Sequence, residues 1–181
     1  MRKNFLSGLL MAIFTTAARQ IRIFTCAVCL LIMTVASTAS AELTTAQSAL
    51  GGITLGAPSS YVRSVYGEGL FSRTSTGYKY QYNGAFIQFF VDGGPATVMS
   101  VDTWKNNGFA TPAGVTVGMD SSILNELYGE ADKVSYHPWH PYYSDAVKSY
   151  GYNVTGGDYQ TLTFFVDNDE KINEIRLYWA D

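Results

Sequence analysis

The stretch ITLGAPSSYVRSVYGEG (53–69) is answered 62 positions later by VTVGMDSSILNELYGEA (115–131). Thr54 falls on Thr116, Gly56 on Gly118, Ser59 and Ser60 on Ser121 and Ser122, Tyr66 on Tyr128 and Gly67 on Gly129. A self-match at fixed spacing is the sign of a repeated structural unit. Each copy reads as a short helix. Ser59 or Ser121 can cap its first N–H groups. Apolar residues recur at helical spacing: Tyr61, Val62, Val65 and Tyr66, then Ile123, Leu124, Leu127 and Tyr128. Gly67 and Gly129 suit the left-handed turn that ends a helix.

The copies meet again downstream. FFVDGGPATVMSVDTW starts at Phe89, and FFVDNDEKINEIRLYW at Phe164. Each reads as a β-hairpin, an apolar strand and an alternating strand around a Gly/Asn/Asp turn. The first turn is one residue longer, so Val98 matches Ile172 and Val101 matches Ile175. A tyrosine-rich strand precedes each hairpin, over 77–83 and 148–153. The predicted fold class is α+β. Two tandem helix-plus-antiparallel-meander repeats, three strands each, carry their helices on one face of a single or fused sheet. The other face is expected to be concave and partly exposed. Repeat 1 takes 42–109, and repeat 2 takes 110–181 with an insertion at 137–145. KNNGFATPAG (105–114) is the linker-like stretch, and 44–50 a possible short first helix.

Residues 1–41 read differently. Arg2, Lys3, Arg19 and Arg22 precede an uncharged apolar run, Ile23 to Ala36, which ends in small residues at Ala39 and Ala41. This is the pattern of a secretory signal peptide. Its apolar core is about 14 residues against the roughly 20 that span a bilayer. Cleavage after Ala41 is expected, with retention as an anchor the alternative. Both cysteines, Cys26 and Cys29, fall inside this core. Residues 42–181 thus hold no cysteine, which excludes disulfides and thiol catalysis there. Their eight basic and 15 acidic residues give a net charge of −7. A chain without a basic stripe does not suit nucleic acid or an anionic membrane surface. A secreted, periplasmic or cell-envelope location follows from the leader.

The motifs ITLGAPSSYVRSVYG and VTVGMDSSILNELYG, with a strand meander after each, resemble the SmpA/OmlA outer-membrane lipoprotein family. In tandem they resemble the β-lactamase inhibitory protein fold. The resemblance covers nearly all of 43–181. It implies two helix-on-sheet units whose outer sheet face binds another protein. This chain departs from both patterns. The inhibitory protein carries disulfides, and the lipoproteins are lipidated on a cysteine that is absent here. Inhibition of a β-lactamase is not carried over.

Alternation sorts the hairpins into two faces. Ile87, Phe89, Val91, Met99, Val101 and Thr103, with Leu162, Phe164, Val166, Ile175, Leu177 and Trp179, make the expected core face. The opposite set is Phe86, Gln88, Phe90, Ser100, Asp102 and Trp104, then Thr161, Thr163, Phe165, Glu174, Arg176 and Tyr178. Aromatics interleaved with polar groups and an arginine are what recognition surfaces carry. Phe90 with Trp104, and Phe165 with Tyr178, are the expected anchors, with Arg176 beside them. Burial of this face under another element is the competing reading.

The insertion HPWHPYYSD (137–145) holds both histidines, His137 and His140. Trp139, Tyr142 and Tyr143 could grip a protein, stack on sugar rings or pack against the sheet edge. Two histidines fall short of a zinc site unless Asp145 or another residue joins them. DNDEK (167–171) lacks the glycine and the carboxylate spacing of a calcium loop and reads as a hairpin turn. No nucleophile elbow, phosphate loop or zinc helix occurs. The expectation is a secreted or envelope binding module, neither catalytic nor cofactor-dependent, with an extracytoplasmic protein as partner. A glycan- or wall-binding module using 137–145 is the alternative, and a hydrolase the remaining one.

Overall fold

The computed structural model describes residues 43–136, 145–156 and 159–180. The expected signal peptide and most of the 137–145 insertion lie outside them. The described residues belong to one compact unit, Ser40–Asp181.

Eight antiparallel strands form one continuous sheet. They are β1 (Leu70–Arg73), β2 (Gly77–Tyr82), β3 (Ala85–Phe90), β4 (Thr97–Thr103), β5 (Lys133–Tyr136), β6 (Lys148–Asn153), β7 (Gln160–Val166) and β8 (Ile172–Trp179). Their spatial order is β1-β2-β3-β4-β8-β7-β6-β5. Two four-stranded meanders therefore meet along their last strands. This overturns the α+β expectation of two helix-plus-meander repeats. The helices α1 (Ser59–Tyr66) and α2 (Ile123–Tyr128) have only eight and six residues, and the sheet dominates. Helices so short gain little from their own hydrogen bonds and depend on packing. The four-residue strands β1 and β5, too short to show alternation, make each meander one strand longer than expected.

The two quoted stretches nevertheless share a local device. Gly56 (φ 76°) and Gly118 (φ 93°) sit in a left-handed turn that costs glycine least. The Gly56 N–H donates to the Val98 carbonyl at 2.8 Å, and the Gly118 N–H to that of Ile172 at 2.7 Å. Val98 and Ile172 donate back, to Ala57 and Met119, each at 2.9 Å. Each helix approach is thus pinned to the last strand of its own hairpin. Gly67 and Gly129 end the helices at φ 72° and 76°. Capping differs from expectation at the other end. Pro58 precedes α1, and the Asp120 carboxylate, rather than Ser121, accepts the Ser122 N–H at 3.0 Å.

One core lies under the sheet. Ile87, Phe89, Val98, Val101, Leu162, Phe164, Ile172, Ile175 and Leu177 are fully buried there, with Val62 of α1 and Leu124 of α2. A buried side chain of this size contributes about 1.5–3 kcal/mol. The rest of the covering layer is irregular chain. Residues 105–114, expected to be a linker, dock instead. Phe109 stacks on Tyr66 at 4.8 Å, Gly51 N–H donates to the Ala110 carbonyl, and Tyr128 Oη donates to Thr111 Oγ1 at 2.7 Å.

Two residues expected in the core face elsewhere. Gln88 pairs with Ser100 but Phe89 with Val98, so Met99 is the extra residue of a β-bulge and turns outward. Val91 lies beyond β3 and is 44% exposed. Asn173 is the matching extra residue between Phe165↔Glu174 and Val166↔Ile172. The bulges send Val98 and Ile172 into the core.

Candidate functional site

The pairing register carries straight rows of outward side chains across the sheet. One row runs Leu70–Gln81–Phe86–Asp102–Arg176–Thr163. The next runs Ser72–Lys79–Gln88–Ser100–Tyr178–Thr161. Where β2, β3, β4 and β8 carry these rows, an open groove of about 840 Å³ forms. Phe86, Phe90, Trp104, Tyr178 and Trp179 supply its aromatic surface, and Lys79, Gln88, Ser100, Asp102, Glu174 and Arg176 its polar one.

Its floor is an ion-pair cluster at the joint between the meanders. Shifted by 74 positions, Asp102 falls on Arg176, and the register sets these two directly opposite. The joint therefore brings a position against its own counterpart. Identical charges there would repel, but an aspartate and an arginine attract. Arg176 Nε donates to Asp102, and Nη2 donates to Glu174 Oε1 at 2.7 Å. Ser100 Oγ donates to the other Asp102 oxygen at 3.1 Å. Burial pushes the Asp102 carboxyl up, against the pull of Arg176. Burial alone would lower the Arg176 pKa, but the two carboxylates more than reverse this and keep it charged.

The walls are built by alternation. Phe86 packs on Trp104 with ring centroids 4.5 Å apart. Lys79 Nζ lies 4.3 Å above the Phe86 ring, a cation–π contact. β2 can run close beside β3 here because residue 77 is glycine. A Cβ at Gly77 would lie 2.1 Å from the Phe89 carbonyl oxygen.

Of the expected binding residues, Phe90, Trp104, Arg176 and Tyr178 line this one groove. Phe165 does not line it. It lies under the Arg176 guanidinium, 5.3 Å from ring to Cζ. Trp139, Tyr142 and Tyr143, with His137 and His140, lie outside the described residues. Lys79 and Met99 line the groove without having been singled out, and so does Trp179, expected on the core face, which packs against the core only in part. Lys79 was legible, since it alternates outward between Tyr78 and Tyr80. Met99 was not, because only the bulge turns it out. The outward face over β6–β8 is mostly buried: Ser149, Thr161, Thr163 and Glu174 are all under 9% exposed.

A smaller hollow of about 530 Å³ adjoins the groove, and Trp104 lines both. Glu68, Leu70, Gln81, Tyr82 and Lys105 complete its main side-chain surface. Among the described residues no cluster of three His, Cys, Asp or Glu is placed to hold a metal. No described helix is long and apolar enough to cross a membrane.

No family model matches this chain. No curated protein matches it either. Among solved structures, the crystal structure of a DUF4309 family protein, YjgB, from Bacillus subtilis is similar at 16% identity. The match covers 68% of this chain and 78% of that one, with a TM-score of 0.42. So distant a likeness carries no argument about what this chain does.

Proposed function

We propose that this chain is a secreted or cell-envelope binding module without a reaction of its own, which takes another protein through the groove face of its sheet. One observation carries the reading: outward aromatic and polar residues of β2, β3 and β4 and of the sequence-distant β8 converge on one groove with a satisfied floor. Arg176 spans Asp102 and Glu174, so the floor's charges answer each other before any ligand arrives. Such a floor offers shape and fixed dipoles rather than a free acid, base or nucleophile. Aromatic anchors around an arginine are the composition of an interface centre. The leader pattern of residues 1–41 supports the location.

The test uses the full chain, tagged at its C-terminus, as bait in secreted and envelope fractions of the source cell. A variant with Phe90, Trp104 and Tyr178 changed to serine runs beside it, with circular dichroism to verify the fold. Capture by the parent and loss in the variant is the expected result. Equal capture by both overturns the groove as the binding face. Retention on insoluble polysaccharide, undiminished in the variant, transfers the activity to a glycan-binding surface elsewhere.

A further inference from the structure

Resting on that binding role, we infer that the partner presents an extended acidic segment of about six residues, laid across the strands from β8 to β1. The groove and the neighbouring hollow meet at Trp104, so the outward surface is continuous from Tyr178 and Arg176 on β8 to Leu70 on β1. That path crosses four strand spacings in the order β8-β4-β3-β2-β1. At about 4.8 Å each it is about 19 Å long, and an extended chain rises about 3.3 Å per residue. Leu70, 74% exposed, and the Phe86–Trp104 pair offer apolar seats along it.

The charge of the occupant is set by which cations are already committed. Arg63, Lys148, Lys171 and Arg176 all form ion pairs with carboxylates. Lys79 and Lys105 form no ion pair among the described residues; Lys79 lies over the Phe86 ring, and Lys105 lines the hollow beside Trp104. The other two cations outside ion pairs, Arg73 and Lys133, lie on the edge strands. In a chain whose residues 42–181 carry a net −7, the ammonium groups of Lys79, which rests on Phe86 and feels the Asp102 charge, and of Lys105 stand beside the same aromatic pair without a salt-bridge partner among the described residues. Glu68 in the hollow is paired with Arg63, and Asp102 and Glu174 in the groove with Arg176. Each ammonium offers donors to a carboxylate. A segment alternating Asp or Glu with an aromatic or leucine complements both the charge and the apolar seats.

The probe is a displayed library of random eight-residue peptides, selected on the full chain at low salt. The expected result is an excess of Asp and Glu beside aromatic residues or leucine. Selection on K79Q/K105Q should lose the acidic excess and keep the apolar one. The strongest acidic peptide should bind that variant about tenfold more weakly, a difference that shrinks in high salt. Apolar selection without acidic excess, or an acidic excess unchanged in K79Q/K105Q, overturns the inference and leaves the groove's binding role standing. Failure to select any peptide above a W104S control overturns the extended segment. Only the capture experiment above decides the binding role itself.

Discussion

The β1–β4 and β5–β8 meanders place matched residues on matched faces, yet their outer surfaces end differently. Phe86 and Gln88 on β3 are half-buried, while their counterparts Thr161 and Thr163 on β7 are buried; Phe90 is exposed and its counterpart Phe165 half-buried. Alternation thus decides which way a side chain points and not whether that side stays open. The connections differ too. Three residues, 74–76, join β1 to β2, whereas eleven, 137–147, join β5 to β6. Under the sheet the halves are alike, since Phe89 and Phe164 are both fully buried in one cluster.

That likeness can be broken most forcefully in the core. Phe89→Ala and Phe164→Ala should each cost about 3–5 kcal/mol. Because one core joins both halves, each variant should unfold in a single transition at a lowered denaturant midpoint, tracked by fluorescence and circular dichroism together. Two separated transitions in either variant would show that the meanders are independent units.

Next in size is the joint. Arg176→Asp would gather three carboxylates, Asp102, Glu174 and the new one, on a partly buried floor. Removing one partner of a buried pair costs about 3–5 kcal/mol, and the 35% exposure of the Arg176 side chain puts this site at the lower end. The charge swap D102R/R176D restores opposite signs across the β4–β8 register and should recover part of the loss. A swap no more stable than the single variant would mean that Glu174, not Asp102, is the partner that matters.

The legible part of this fold is the part whose signals are long. The hairpins β3–β4 and β7–β8 have six to eight residues per strand and alternate, so their faces could be read directly. Four of the expected binding residues, Phe90, Trp104, Arg176 and Tyr178, meet in one groove because they sit on or beside those strands. The helices were legible in position but not in weight. A capping serine, periodic apolar residues and a glycine mark a helix equally well at six residues as at sixteen. The bulges hid the outward turn of Met99, since one inserted residue reverses the alternation of the strand beyond it. The docking of 105–114 rests on Phe109, on Thr111 and on Asn107, whose side-chain amide donates to the Asn83 carbonyl at 2.8 Å, contacts distant in sequence that no local pattern announces. That the two meanders join through β4 and β8 was invisible for the same reason.

The halves can also be separated at alkaline pH. Tyr80 on β2 and Tyr152 on β6 occupy matched core-side positions, paired with Ile87 and Leu162. Burial chiefly pushes the Tyr152 hydroxyl up to about 12. Burial also raises Tyr80, but Arg63 draws it back. Tyr152 keeps its proton in the folded chain when the unfolded chain, near 10, has begun to lose it. Its contribution to stability is therefore complete below pH 10 and declines as pH rises toward 12. The full loss is about 3 kcal/mol. Tyr152→Phe should flatten the alkaline limb of the unfolding midpoint more than Tyr80→Phe does. Equal effects would remove the contrast.

The smallest contrast is at the two helix starts. Position 58 is proline, whose ring fixes φ and needs no acceptor, while its counterpart 120 is aspartate. The Asp120 carboxylate accepts from Ser122 and pairs with Lys171 Nζ at 3.2 Å, which lowers its pKa from 3.8 to about 2. Its contribution is present above pH 3.8 and is lost as pH falls toward 2, because the unfolded chain takes up the proton first. Asp120→Asn keeps an oxygen for the Ser122 N–H and removes only the charge. The melting temperature of that variant should fall less steeply between pH 4 and pH 2 than the parent's. Glu170, held down by Lys148 and Ser121, should account for part of the remaining slope, which Glu170→Gln tests on the same side of the molecule. An unchanged slope in Asp120→Asn would mean that the hydrogen bond from the Ser122 N–H to the residue 120 side chain, and not the charge, holds this start of α2.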